Sequence, residues 1–338
     1  MKTLKLDLKS NYKNSIQKAA EILNGGGIVA IPTETVYGLA ASAYNGEAIK
    51  KVFIAKGRPQ DNPLIVHISD MEMLNEVACD IPETALKCAE KFWPGPFTMV
   101  LSRTDKTAEE VSAGLSTVAV RMPSDKTALD IIRKSGLALA APSANSSGSP
   151  SPTSPFHVEA DLSGKIDAIV FGGNCEVGVE STVVSFAANP PRLLRPGAVT
   201  KEDLMEIVPD LVVDKAVLAS LEKNETAHSP GMKYKHYAPK AEAYLVEGDS
   251  KSFCEFVNSQ SGCVAVCFEE DEDIRIKKIV YGNKKDESSL AREVFSALRK
   301  VDDLGAMKAY IHAPSKSGIG LAVYNRLLRA AAFRVIEL

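Results

Sequence analysis

Apolar runs in this chain are short, and several end in, or are broken by, segments rich in proline, glycine and hydroxyl side chains. These are PTETVYGLA (32–40), KGRPQDNPLIVH (56–67), STVAVRMP (116–123), APSANSSGSPSPT (141–153), EST (180–182) and LLRPG (193–197). Side chains at strand ends converge on one edge of a sheet, where a rigid scaffold can present groups from distant parts of a sequence to one ligand. Between these segments, apolar spacing predicts helices near 46–56, 70–79, 82–92 and 125–135. A further helix runs from Asn14 through Ile16, Ala19, Ala20 and Leu23 to a stop at Gly25–Gly27. Strands are predicted at 27–31, 63–68, 96–102, 117–121, 137–141, 166–171 and 181–186. Two helices precede the strand at Phe97, and several strands follow one another without a helix. The first part is therefore α/β of the α+β, mixed-sheet kind, not a clean parallel winding.

The pattern weakens from Val208 to Lys240, where Pro209, Pro230, Gly231 and Pro239 interrupt it and any helix near 217–223 is short. That stretch reads as an interdomain linker. Beyond it, strands at 243–246, 263–268, 277–281 and 306–312 alternate with helices at 250–258, 287–301 and 319–331, as in a small Rossmann-like, three-layer α/β domain. The expected division is 1–207, a linker at 208–240, and 241–338. A length of 338 residues is enough for two cores of roughly 150 residues each. Five successive acids, Glu269 to Asp273, read as a solvated loop between two strands of the second domain.

Composition narrows function by exclusion. With 45% hydrophobic and 25% charged residues the chain is neither disordered nor fibrous. A net charge of −3 gives no global attraction to nucleic acid or anionic membrane, so any anion site must be local. MKTLKLDLKSNYKN lacks the apolar core of a signal peptide, and no segment approaches ~20 apolar residues, so a soluble cytoplasmic protein is expected. The six cysteines (79, 88, 175, 254, 263, 267) form no CxxC pair and read as buried thiols, with Cys263 and Cys267 on one face of a strand.

Three of the polar segments carry Arg58, Arg121 and Arg195, one adds Lys56, and the stretch 142–153 contains no carboxylate. Guanidinium forks grip phosphate or carboxylate in bidentate fashion, while Ser, Thr and Asn complete a shell without adding negative charge. Singly, such segments read as turns; together they suit a polyanion. No G-x-S-x-G, H-E-x-x-H or Walker A sequence is present, and nothing sets a His and a carboxylate beside Ser143 to make it a nucleophile. Gly25 to Ala30 matches G-x-G-x-x-A but follows a helix and precedes a strand, so it is a helix stop. Gly318 and Gly320 lie between a strand and a helix without the third glycine; close helix packing or a small effector both remain open there. His157, His228 and His312 read as surface or satisfied core groups, whereas His67 ends the strand of the basic segment. His236 sits in SPGMKYKHYAP, where Lys233, Tyr234, Lys235 and Tyr237 make a cationic, aromatic stretch. It is expected to fold over the first-domain pocket as a lid offering Tyr234 to a nucleotide, the alternative being a static brace.

Taken in order, PTETVYGLA, KGRPQDNPL, PSANSSGSPSPT, STVV, LLRPG, SPGMKYKHYAP and the later GIGLAVYNRLLRAA resemble the two-domain L-threonylcarbamoyladenylate synthases of the YrdC-like family. The resemblance implies a concave, twisted mixed-sheet first domain with a cationic hollow and a small Rossmann-like second domain. It implies a nucleotidyltransferase that turns L-threonine, bicarbonate (as CO2) and ATP into threonylcarbamoyl-AMP and pyrophosphate, toward threonylcarbamoyladenosine next to the anticodon of tRNA. By motif position, Thr35, His67, Arg121, Ala141 and Ser181 would hold threonine, with Arg121 on its carboxylate. Arg58, Asn62, Thr117, Ser143, Ser151, Arg195 and Tyr234 would hold ATP. Lys56 and Arg58 would act catalytically near the phosphates; the proton acceptor for the threonine amine is left unnamed, with His67 a weak candidate. Mg2+ would arrive with the triphosphate, the motifs having few carboxylates to cage it. The product would pass to a tRNA threonylcarbamoyl transferase, and there is no membrane partner. The competing reading is a non-catalytic RNA-binding module using the same hollow, against which stand the acidic balance and the lack of an RRM or KH signature.

Overall fold

The computed structural model describes residues 2–219 and 237–338. Twelve strands of the first part form one mixed sheet. In spatial order they are Leu4–Asp7, Ala168–Phe171, Val29–Ile31, Gly38–Ser42, Leu139–Ala140, Ile65–His67, Thr117–Arg121, Phe97–Arg103, Thr182–Ser185, Arg192–Arg195 and Val212–Val213, with Ala78–Cys79 pairing on Phe97–Arg103. Parallel and antiparallel neighbours are interspersed, as strands joined without helices require.

Helix Lys126–Ser135 shows how local sequence sets these elements. Asp125 accepts from the Ala128 amide, Gly136 closes the helix in the left-handed region (φ 66), and Arg133 and Lys134 sit in the last turn, where the helix dipole favours cations. Its apolar face, Ala128, Ile131 and Ile132, packs with Ile16, Ala19 and Leu23 of helix Leu8–Asn24 against Val29, Ile31 and Val170 of the sheet.

Some boundaries differ from the sequence reading. Helix Leu8–Asn24 starts before Asn14: Asp7 caps its first turn, the backbone breaks at Asn11 (φ −159), and the Asn11 side chain then accepts from the Asn14 amide at 3.0 Å. Residues 78–79 are strand, not the end of a helix, because the helix stops at Val77. Strand Gly38–Ser42 went unread because GLAAS is buried throughout and carries neither alternation nor β-branched residues. Helix Pro155–Leu162 and the short strands Leu4–Asp7, Arg192–Arg195 and Val212–Val213 were also missed. The last pairs with Arg192–Arg195, so the first sheet extends into the expected linker.

The second sheet is wholly parallel, in the order Lys278–Val280, Cys263–Cys267, Lys308–His312, Glu242–Glu247, Val335–Glu337. Helices Glu287–Asp303 and Gly318–Ala330 pack in the core on one face and Ser250–Asn258 in that on the other, giving the three layers expected. The acidic run is not uniformly solvated. Asp271 is fully buried, pairs with the Nδ1 of equally buried His312 at 2.7 Å and accepts from the Phe268 amide. His312 also reaches the Gly248 carbonyl and stacks on Phe253, a satisfied core group as read. The N-terminus of Gly318–Ala330 holds the Glu287 carboxylate, which accepts from the Gly320 amide at 2.8 Å. A Cβ at residue 320 would meet that carboxylate and Ser315, so close packing accounts for the glycine. All six cysteines are free, and burial pushes the Cys88 thiol up to about 11 and Cys267 to about 12. Among the described residues no helix is long and apolar enough to cross a membrane.

Candidate active site

One cross-strand row lays out the site. His67 is in register with Arg121, Arg121 with Thr98, Thr98 with Val183, and Val183 with Arg195. Residues in register point to the same face, and strands lie ~4.8 Å apart, so the row spans about 19 Å over five strands. A β-bulge between the last two strands puts Leu194 and Arg195 together opposite Val183, and it is this irregularity that aims Arg195 at the hollow. Val183 of the row joins Ile65, Val100, Ala119 and Leu194 in an apolar patch.

At one end, Arg121 is 3% exposed and already engaged. Its guanidinium lies 2.6 Å from Glu34 Oε1, donates to Thr35 Oγ1 at 2.8 Å and to the Gly95 carbonyl. Burial alone would raise the Glu34 pKa, but Arg121 and the Ser124 amide outweigh it and hold the carboxyl below its usual value. His67 is buried, with Nδ1 3.2 Å from the Ile65 carbonyl, which leaves Nε2 as the acceptor. Burial, helped by the charge of Arg121, takes its pKa from 6.5 down to about 3, so the ring is neutral at physiological pH.

Loop 141–153 forms the opposite wall and lies against 37–39. Leu39 donates to the Pro142 carbonyl, Ala144 to Tyr37 and Tyr37 to Pro152. A Cβ on Gly38 would sit 3.2 Å from that of Ala141, so the glycine permits the approach. Beneath the loop, the Lys56 ammonium donates to the carbonyls of Ser143 and Asn145; burial and the charge of Arg58 drive its pKa well down. Ser151 Oγ donates to Glu180 Oε1 at 2.5 Å. Ser181 Oγ is 2.7 Å from Thr98 Oγ1 and accepts from Arg195, whose Nε donates to the Ser181 carbonyl.

The hollow is lined by Thr35, Arg58, His67, Arg121, Ala141, Ser143, Ser181 and Arg195, eight of the expected residues, together with Thr33, Asn145, Ser149, Glu180 and Tyr237. Lys56, Asn62, Thr117 and Ser151 are not part of that lining. Lys56 and Ser151 are buried behind it. Asn62 is buried with both ends of its amide unpaired. Thr117 precedes Arg121 by four residues on the same strand face, ~13 Å away, and borders an adjoining cleft with Ser185, Arg192 and Asp214. Tyr234, His228, His236 and the expected lid up to residue 236 lie outside the described residues. Tyr237, just after them, is buried with φ 63, packs on Phe295, and is followed by Ala238, which donates to the Gly148 carbonyl.

Sequence reasoning counted cations and missed their partners. Glu34 lies inside PTETVYGLA and Glu180 begins EST, each a carboxylate within a segment already singled out. Such a carboxylate signals that a buried guanidinium needs a counter-charge. Thr98 had no local signal, because only strand pairing brings it between Arg121 and Ser181.

Comparison with known proteins agrees along the whole chain. Residues 21–197 match the family model described as telomere recombination, and residues 199–332 the one described as threonylcarbamoyl-AMP synthase, C-terminal domain. A threonylcarbamoyl-AMP synthase of Pyrococcus abyssi (strain GE5 / Orsay) is 42% identical over 331 residues, covering 95% of each chain. One of Bacillus subtilis (strain 168) is 43% identical over 338 residues, covering 98% of this chain and 97% of that one. The crystal structure of P. abyssi Sua5 complexed with L-threonine superposes with a TM-score of 0.92 at 40% identity, covering 100% of both chains. With both parts matched at this identity and coverage, the chain belongs to the two-domain threonylcarbamoyl-AMP synthase family.

Proposed function

We propose that the hollow joins L-threonine, CO2 from bicarbonate and ATP into threonylcarbamoyl-AMP and pyrophosphate. The amine of threonine forms a carbamate with CO2, losing a proton. A carbamate oxygen then attacks the α-phosphorus of ATP, and the bond to the β-phosphate oxygen breaks to release pyrophosphate. The observation that carries this reading is the convergence of three guanidinium groups. Arg58, Arg121 and Arg195 come from three separate segments and line one hollow, where two mutually repelling anions have to meet. The complex of P. abyssi Sua5 with L-threonine supports threonine as a ligand.

Arg121, Thr35, His67, Ser181 and the backbone at Ala141 would hold threonine. Neutral His67 would accept a hydrogen bond there, but with a pKa of about 3 it does not retain the proton that the amine releases. Arg58, Asn62, Ser143, Ser151, Arg195 and Tyr234 would hold ATP. Its purine would lie over the apolar patch and reach Thr117, and the unpaired Asn62 amide would find partners in the bound nucleotide. Lys56 would shape the phosphate loop from beneath.

Among the described residues no three His, Cys, Asp or Glu side chains gather as a metal site, and Glu34 and Glu180 face arginines. That donor set suits Mg2+ carried by the triphosphate, where it would offset phosphate charge. Residues 1–207 would carry the chemistry, 208–240 would include the lid, and 241–338 would support the wall. The enzyme would be a cytoplasmic nucleotidyltransferase passing its product to a tRNA threonylcarbamoyl transferase. Glu34 and Glu180 at the hollow count against an RNA backbone track.

Incubating the protein with labelled bicarbonate, threonine and Mg-ATP tests the reading. Pyrophosphate release that needs all three is expected. Release independent of threonine, or none alongside salt-sensitive RNA binding, would overturn it.

A further inference from the structure

Arg326 belongs to helix Gly318–Ala330 of the second unit, yet it is fully buried at the back of the hollow's wall. Its Nε donates to Glu180 Oε2 at 2.8 Å, Nη2 to the Glu180 carbonyl at 3.2 Å, and Nη1 to the Pro196 carbonyl at 2.8 Å. One side chain thus bonds the residue before Ser181 and the residue after Arg195. On the inner side Arg195 itself bonds Ser181, and Glu180 accepts from Ser151. The two segments approach so closely that a Cβ on Gly197 would lie 2.4 Å from the Thr182 amide.

We propose that Arg326 is a positioning residue for the nucleotide wall: the second unit completes the site by setting Glu180, and through it Ser151, Ser181 and Arg195, in the geometry that ATP meets. The inference rests on the ATP reading above. A second arginine acts alongside it. Arg299 of helix Glu287–Asp303 donates to both carboxylate oxygens of Asp161 and to the Pro150 carbonyl, one residue before Ser151. The same Asp161 accepts from the Ser146 amide, so Arg299 braces the polar loop directly at Pro150 and, through Asp161, at Ser146. A fully buried arginine facing only Glu180 would balance charge; one that also bonds Pro196 fixes the spacing between two wall segments.

The test uses the full-length protein and ATP titration calorimetry with steady-state kinetics. Arg326→Met is expected to weaken ATP affinity and raise the KM for ATP at least tenfold, with a smaller rise in the KM for threonine transmitted through Ser181. Arg326→Lys, which keeps the charge without the fork, is expected to recover part of the ATP affinity. Because Arg326→Met takes from buried Glu180 its paired cation and leaves only Arg195 and Ser151 to offset the charge, the double variant Arg326→Met/Glu180→Gln is measured as well. Recovered thermal stability with ATP affinity still depressed supports positioning. Recovery of both, or ATP affinity within twofold of wild type in Arg326→Met, shows a purely structural role and overturns the inference. Failure of the wild type to bind ATP would instead remove the ATP reading, and this inference with it.

Discussion

At the scale of single residues, the site is a set of charges that already have partners. Arg121 and Glu34 neutralise one another in a buried setting, so truncating Arg121 strands a carboxylate and removes a ligand contact at once. Arg121→Ala is expected to lower unfolding free energy by about 3–5 kcal/mol, whereas half-buried Arg58→Ala should stay near wild type in urea titration while losing turnover. Acid sensitivity follows from His67 and Glu34. The folded pKa of His67 is depressed from 6.5 to about 3, so between those values the unfolded chain binds the extra proton and stability falls as pH drops. Glu34 is depressed too, and its contribution is lost as pH falls through its folded value. His157, lowered to about 4 by burial, adds in the same direction. The urea midpoint is therefore expected to drop between pH 7 and pH 5, and His67→Gln should flatten that slope. Most lining residues were legible because arginine, serine and threonine at strand ends stand out; Thr98, Glu34 and Glu180 gained meaning only once pairing showed what each one faces.

Among the elements, those with strong amphipathic spacing and good caps were legible. Gly46–Lys56, Glu83–Phe92 and Lys126–Ser135 lie within a residue or so of the reading because Asn45 and Asp125 start two of them and Gly57 and Gly136 stop two. What escaped was tertiary in origin: the alanine-rich strand at 38–42, two-residue strands defined only by partners, and the bulge at Leu194 that turns Arg195 inward. The loop at 172–180 shows the same dependence. Gly178 has φ 84, and a Cβ there would lie 2.3 Å from the Arg292 Cα on helix Glu287–Asp303. Gly178→Ala is expected to cost about 1–3 kcal/mol and to lower the melting temperature, since a backbone neighbour cannot rotate away.

For the whole molecule, the division into two parts was legible from the change in alternation after Val208, but the way the parts depend on each other was not. Val36 and Val179 of the first part are built into the core of the second, and Arg299 and Arg326 reach back across. Scanning calorimetry is therefore expected to show one endotherm for the chain, and for Arg299→Met an earlier, separate transition. Two independent endotherms in the wild type would contradict this account of coupling.

Because the guanidinium of Arg326 seals a wall woven by the other sheet, the two halves are not interchangeable parts. A half grafted in from a relative would have to deliver a cation to that one point, or the recipient would inherit an orphaned negative charge in its interior. Compatibility between halves should then follow a single side chain more closely than overall likeness, which makes position 326 the place to look first when such hybrids fail.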